Sequence, residues 1–144
     1  MVEIVRLKEV SEQAVADINK LLPQLRTDPS EYSASITELR SITEDNDVAL
    51  VVALDSGHII GMATLYIITK FSKRNGHVED VVVDSGYRGQ GLGEKIMHKI
   101  IEIARDEHVK TLHLTSRPDR SAANKLYQKL GFEQKDTNAY FMKL

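Results

Sequence analysis

The chain has 144 residues, 42% hydrophobic and 28% charged, which suits one globular domain with a core of its own, residues 1–144. Nineteen Lys and Arg against twenty-one Asp and Glu leave a formal net charge of -2, which argues against the broad basic face a nucleic-acid binder needs. With no cysteine, disulfides, thiolate metal sites and a cysteine nucleophile are excluded.

The opening MVEIVRLKEV alternates apolar and charged residues, the pattern of a strand over 2–8 and of neither a signal peptide nor an anchor. No segment approaches the ~20 apolar residues of a membrane span, so no membrane partner is expected and the cytoplasm is the expected compartment. From Ser11, SEQAVADINKLL puts Ala14, Val15, Ile18, Leu21 and Leu22 on one helical face, with Ser11 as N-cap. Pro23 and RTDPSEY end that pattern, and a second helix is expected over Ser30 to Ile42. DVALVVAL (47–54) and HIIGMATLYIITKF (58–71) read as a hairpin turned at DSG, and GHVEDVVVD (76–84) as the next strand. GLGEKIMHKIIEIARDEH (91–108) is a helix with Leu92, Ile96, Ile100, Ile103 and Ala104 on one stripe. KTLHLTS (110–116) is a strand, SAANKLYQKLGF (121–132) a helix stopped at Gly131, and 138–144 a final strand. The order β-α-α-β-β-β-α-β-α-β predicts an α/β fold. Its sheet is mixed and mostly antiparallel, with a central parallel pair across the 78–116 βαβ unit and helices flanking it.

Half of the eight glycines fall in one turn: Gly86, Gly89, Gly91 and Gly93, just after Val81, Val82 and Val83. A helix N-terminus carries N–H groups without intrahelical partners and a partial positive charge, and glycines before it let a phosphate approach the backbone. Arg88 stands at the mouth of this loop, able to add a charge-assisted contact. GQGLGE lacks the G-x-G-x-x-G spacing of a dinucleotide site, and no G-K-[ST] follows, which removes the nucleoside-triphosphate loop. A plain connection needs one glycine and not four.

The spacing present, Arg88-x-x-Gly91-x-Gly93 after a valine-rich strand, resembles the acetyl-CoA pyrophosphate loop of the GNAT acyltransferases, [Arg/Gln]-x-x-Gly-x-[Gly/Ala]. A second motif of that family recurs as Ala123, Leu126, Tyr127, Gly131 and Phe132. The order of elements fits too, so the resemblance covers essentially the whole chain. Gly76 to Gly93 is further similar to glucosamine-6-phosphate N-acetyltransferases, from which TSRPDRSAAN departs.

The resemblance implies acetyl-CoA as co-substrate, with no metal. Its pantetheine would pair with Val81 and Val83, its pyrophosphate sit on Arg88, Gly89, Gln90, Gly91, Leu92 and Gly93, and backbone N–H groups of Val81 to Val83 would hold the oxyanion. Acyl transfer to an amine needs a base, an oxyanion site and an acid for the departing thiolate. Glu79 is the favoured base and Asp80 the alternative. They lie on opposite faces of a regular strand, and a bulge could bring them together. Tyr127 is the candidate acid, its phenol being protonated at neutral pH. The family's pantetheine-contacting asparagine is replaced by Arg120, and Asn124 lies one helical turn away, so either residue is a candidate for that contact. His113 is expected to be structural and His77 to border the acceptor, with Tyr32, Tyr66 and Tyr140 as further pocket candidates. The expected function is direct acetyl transfer to a primary amine of a small molecule, an aminosugar among the candidates, or of a protein. The alternative is a non-catalytic acyl-CoA sensor on the same fold. A homodimer is expected from the resemblance alone.

Overall fold

A computed structural model describes residues 1–25 and 33–144. The chain divides into two compact units, Met1–Leu114 and Thr115–Leu144. The first holds a five-stranded sheet in the order β1-β2-β3-β4-β5: β1 Val2–Arg6, β2 Val48–Asp55, β3 His58–Lys70, β4 Lys73–Val83 and β5 Thr111–His113. The first four strands are antiparallel neighbours, and β4 with β5 forms the parallel pair, as the βαβ reading predicts. The β2–β3 hairpin turns on Ser56 and Gly57, both at positive φ (51° and 83°), the conformation of a two-residue turn matched to strand twist.

Helices cover both faces of the sheet. On one side lie α1 (Glu12–Leu21) and α2 (Ile36–Glu44), whose Val15, Ile18, Leu21 and Leu39 join Leu50, Val52, Met62 and Val82 in one buried cluster. Helix α1 is capped by the Ser11 hydroxyl, which accepts the Ala14 N–H at 3.1 Å. It is tied to β3 by buried Asp17, whose carboxylate accepts the Ile59 N–H at 3.0 Å and lies 3.3 Å from His58 Nδ1. Of the helix expected over Ser30 to Ile42, residues 30–32 lie outside the described residues; α2 itself starts at Ile36 and runs on to Glu44. Ser35 and Glu38 form a reciprocal capping box there, a signature within SASITE that fixes the start. On the other face lies α3 (Leu92–Asp106), whose Ile96, Met97 and Ile100 are fully buried.

Several strand boundaries differ from the sequence reading. β1 stops at Arg6, and β4 starts at Lys73, three residues early, because the hairpin with β3 extends to the Lys70–Lys73 pair. β5 is only three residues long, pairing Asn75, Gly76 and His77 of β4 before the two strands part. Residues 138–144 form no strand: Tyr140, Phe141, Met142 and Leu144 are 81–110% exposed.

The second unit contains α4 (Ser121–Lys129). It ends where Gly131 turns with φ 100°, and the Phe132 N–H closes back on the Tyr127 carbonyl at 2.9 Å, the hydrogen-bond pattern that terminates helices at a glycine. That turn sets the Phe132 ring edge-on to Tyr127, with centroids 6.0 Å apart.

Gly76 illustrates how tightly the β4–β5 junction is packed. A Cβ there would stand 2.7 Å from Leu112 Cδ2 and 2.9 Å from Leu65 Cδ1. Gly76→Ala is therefore expected to lower stability by about 1–3 kcal/mol, the usual range for overpacking, measured as a reduced urea midpoint at unchanged slope. A midpoint equal to that of the unsubstituted chain would refute the packing argument.

Candidate active site

The site begins with an irregularity in β4. Met62 pairs with Val82 and Thr64 with Glu79, so Asp80 and Val81 together oppose Ala63 alone. This is a β-bulge, and Asp80 takes the left-handed conformation it needs, at φ 53°. Aspartate tolerates that region better than most residues. The extra residue reverses the facing of the strand. Val78, opposite Leu65, lies on the side of Leu112 and Val109, whereas Val82 joins the cluster under α1. In a regular strand, residues four apart would share one face.

The bulge coincides with an opening in the sheet. Among the described residues no strand pairs with β4 beyond His77 on the β5 side. The Asp84 N–H reaches back to the Ile60 carbonyl at 2.8 Å. Strand alternation then turns the N–H and C=O of Val83 away from β3, toward the open side. By the same alternation Val82 faces β3, and the Val83 carbonyl is taken by the Arg88 side chain at 3.0 Å, so the Val83 N–H is the group left toward the open side.

Beyond Val83 the chain makes a 3-10 turn, Ser85–Tyr87, capped by the Asp84 carboxylate on the Gly86 N–H at 3.3 Å. Tyr87 anchors it by donating to Asp55 at 2.7 Å, a bond that, with the carboxylate's charge, raises the phenol's pKa above its ordinary value. Gly89 and Gly91 follow at φ 80° and 76°, and a Cβ at either would meet nothing within 4 Å. Glycine is required there by the backbone conformation and not by lack of space. Gly91 is the N-cap of α3 and brings no side-chain cap. The first-turn N–H groups, those of Leu92 and Gly93 among them, are left facing outward with the positive end of the helix dipole behind them.

Arg88 is held in place by neutral acceptors. Its Nε donates to the Val83 carbonyl at 3.0 Å and its Nη2 to Gln24 Oε1 at 3.3 Å. Gln24 also accepts the Ser85 N–H at 2.9 Å and donates to Asp84 Oδ1 at 2.8 Å. Sequence reasoning missed Gln24 because it lies in a 3-10 turn some 60 residues before its partners. Nothing in LLPQL signals it. The Asp84-Ser85-Gly86 turn was readable, since aspartate two residues before a glycine is a common turn former.

Glu79 and Asp80 flank the edge on its upstream side. Glu79 is exposed and lines an open groove of about 550 Å3, together with Asp45, Asp47, Val48, Tyr66, Ile67, Ile68 and His77. Burial first, then the charges of Asp80 and Glu79, raise the pKa of Tyr66, so the fields of both carboxylates reach that phenol. His77 lines the groove, and His113 stacks on it at 5.2 Å while also approaching Thr111 Oγ1 at 3.0 Å. Tyr32 lies outside the described residues. Tyr140 stands in the exposed tail, 89% accessible. No cluster of three His, Asp or Glu able to hold a metal occurs among the described residues, and no helix among them is long and apolar enough to cross a membrane.

In the second unit Tyr127 is buried, which pushes its pKa above the ordinary 10, with Arg120 pulling the other way. Asn124 spends its amide N–H groups on the carbonyls of Arg117 and Arg120, both at 2.9 Å, leaving its side-chain oxygen to meet a donor.

Residues 15–132 match the family model described as the acetyltransferase (GNAT) family. The glucosamine 6-phosphate N-acetyltransferase of Arabidopsis thaliana is 31% identical over 139 residues, covering 91% of this chain and 90% of that protein. The thialysine N-epsilon-acetyltransferase of Bos taurus is 35% identical over a shorter stretch, 51% of this chain and 44% of that one. A crystal structure of a Trypanosoma brucei acetyltransferase superposes with a TM-score of 0.81 at 28% identity, covering 99% of this chain and all of that one.

Proposed function

Because the chain belongs to the acetyltransferase (GNAT) family, we propose that residues 1–144 act as one catalytic domain. Its reaction is the direct transfer of the acetyl group of acetyl-CoA to a primary amine of a small molecule. The observation that carries this reading is the continuity of the open β4 edge with the glycine turn and the uncapped start of α3. An extended pantetheine arm fits the edge as an added strand along Val81 and Val83. The pyrophosphate suits the N–H groups of Gly89, Gln90, Gly91, Leu92 and Gly93, with Arg88 beside them.

On this reading Glu79, which faces the groove, removes the proton from the ammonium group, directly or through water, and Asp80 holds the acceptor. The neutral amine attacks the thioester carbonyl, whose oxygen gains negative charge and is met by the bulge-side N–H groups of Val81 to Val83. The carbon–sulfur bond then breaks, the thiolate takes the phenolic proton of Tyr127, and the second proton shed by the acylated nitrogen returns the phenolate to phenol through solvent. A pKa raised by burial suits that role, because the phenol remains protonated throughout the neutral range. With no cysteine in the chain, no acetyl-thioester enzyme can form, which favours transfer in one step. The carboxylates of Asp45, Asp47 and Glu79 in the groove, which suit an ammonium group, and the likeness to a glucosamine 6-phosphate N-acetyltransferase support an aminosugar as the acceptor.

Acetyl-CoA at about 100 times its dissociation constant should stabilise the protein by ~2.7 kcal/mol, read as a rise in melting temperature that NAD does not produce. Tyr127→Phe should then lower kcat by about 10²- to 10⁴-fold, while acetyl-CoA binding falls far less. Binding without turnover of any amine would favour the sensor reading; no binding at all would end the cofactor assignment.

A homodimer belongs to the same proposal. The exposed apolar run Tyr140, Phe141, Met142 and Leu144 supports strand addition to a second copy. Light scattering after chromatography should give a dimer, and removal of residues 138–144 should give a monomer. A wild-type monomer at micromolar concentration would count against it.

A further inference from the structure

Glycine-rich loops bind anions well only if something keeps them in shape, because glycine loses more conformational freedom on ordering than any other residue. The stretch Asp84–Gly91 has few internal ties. Asp84 caps the 3-10 turn, the Tyr87 N–H reaches the Asp84 carbonyl at 2.8 Å, and Arg88 Nε bonds to Val83. Ser85, Gly86, Arg88, Gly89 and Gln90 are all exposed. The remaining restraint comes from outside, and Gln24 contributes most of it. Its side-chain oxygen accepts from Ser85 N–H and Arg88 Nη2, and its nitrogen donates to Asp84 Oδ1 and lies 3.3 Å from the Lys20 carbonyl. One amide thus joins the end of the α1 segment to three points of the loop.

The chemistry of the acceptor matters as much as the restraint. Arg88 is oriented by a carbonyl and an amide oxygen, both neutral. A carboxylate in the place of Gln24 would orient Arg88 equally well but would neutralise its charge, and it would face Asp84 at hydrogen-bond distance. An amide holds the guanidinium while leaving the whole positive charge for an incoming anion.

We infer that Gln24 is a positioning residue for the co-substrate. It preorganises the 84–88 segment and aims an unneutralised Arg88 at the pyrophosphate of acetyl-CoA, so it sets affinity for the co-substrate and not the rate of chemistry. This rests on the acetyl-CoA reading of the glycine turn.

The test is calorimetric titration of acetyl-CoA into wild type, Gln24→Ala and Gln24→Glu. It is paired with kcat and KM for both substrates and with the melting temperature of each ligand-free protein. Gln24→Ala removes the latch, and its dissociation constant and KM for acetyl-CoA should rise about tenfold, the loss expected for bonds worth one decade. kcat and the KM for amine should change much less. Gln24→Glu keeps size and both acceptor positions, so it guards against simple misfolding. It should weaken acetyl-CoA binding at least as much as Gln24→Ala, because it pairs with Arg88 and repels Asp84. Dissociation constants within twofold of wild type for both variants would overturn the inference. So would a drop in melting temperature with unaltered acetyl-CoA affinity, or a Gln24→Glu variant that binds as wild type does. If wild type itself fails to bind acetyl-CoA, the functional reading falls and the inference with it. If wild type binds and the variants match it, only the inference falls.

Discussion

Backbone groups in a sheet are hydrogen-bonded almost without exception, so a strand that loses its neighbour partway along creates a demand for a substitute. In this protein the demand is concentrated in β4. The strand keeps β3 along its whole length but holds β5 for only three residues, and one extra residue is inserted at Asp80 and Val81 just past the point of parting. The two features belong together. A bulge sharpens local twist and turns the strand away from a straight ladder, which lets the parallel pair diverge. Everything downstream follows from the direction in which β4 leaves the bulge: the valine edge, the glycine turn and the start of α3.

The same insertion sets the relation between the groove and the glycine turn. Before the bulge, His77 and Glu79 face the groove with Tyr66; after it, Val82 sits in the core under α1 while Val83 packs toward Gly61 and Ile96 of α3. A regular strand could not serve both faces with this sequence, because period-two alternation would carry Val78 and Val82 to the same side. The conformational cost falls on Asp80 at φ 53°, a modest one for aspartate. The ladder with β3 resumes on either side of it, and that pairing supplies the compensation.

Much of this was legible before any coordinates. The DSG hairpin, the Ser11 cap, the apolar stripe of α3 and the parallel β4–β5 pair follow from local rules, and each is present. The glycine turn was legible because binding an anion with backbone N–H groups demands residues without Cβ at fixed intervals. The failures are equally physical. The start of α2 at Ile36 is marked by the Ser35–Glu38 capping box, a local signal that the thin apolar periodicity of 30–42 does not carry. The strand expected at 138–144 does not form, since apolar composition records only what a segment can do. Gln24 was invisible because a side-chain latch across 60 residues leaves no periodic trace.

That asymmetry extends to the two halves of the reaction. On the proposed function acetyl-CoA would be read by main chain, and main-chain recognition constrains sequence strongly: glycines at positive φ, an uncapped helix start, a strand open on one side. An acceptor amine is read by side chains brought from separate elements. On the proposed function these would be Asp45 and Asp47 before β2, Tyr66 on β3, and His77 and Glu79 on β4, which line one groove. Their spacing along the chain carries no chemical rule. The Gly76–Gly93 stretch therefore identifies the cofactor chemistry with more authority than it identifies the acceptor. It contains nearly all of the main-chain machinery but only two residues of the groove. Acceptor identity must be sought where strand pairing ends and side chains begin, around Tyr66 and the carboxylates that raise its pKa.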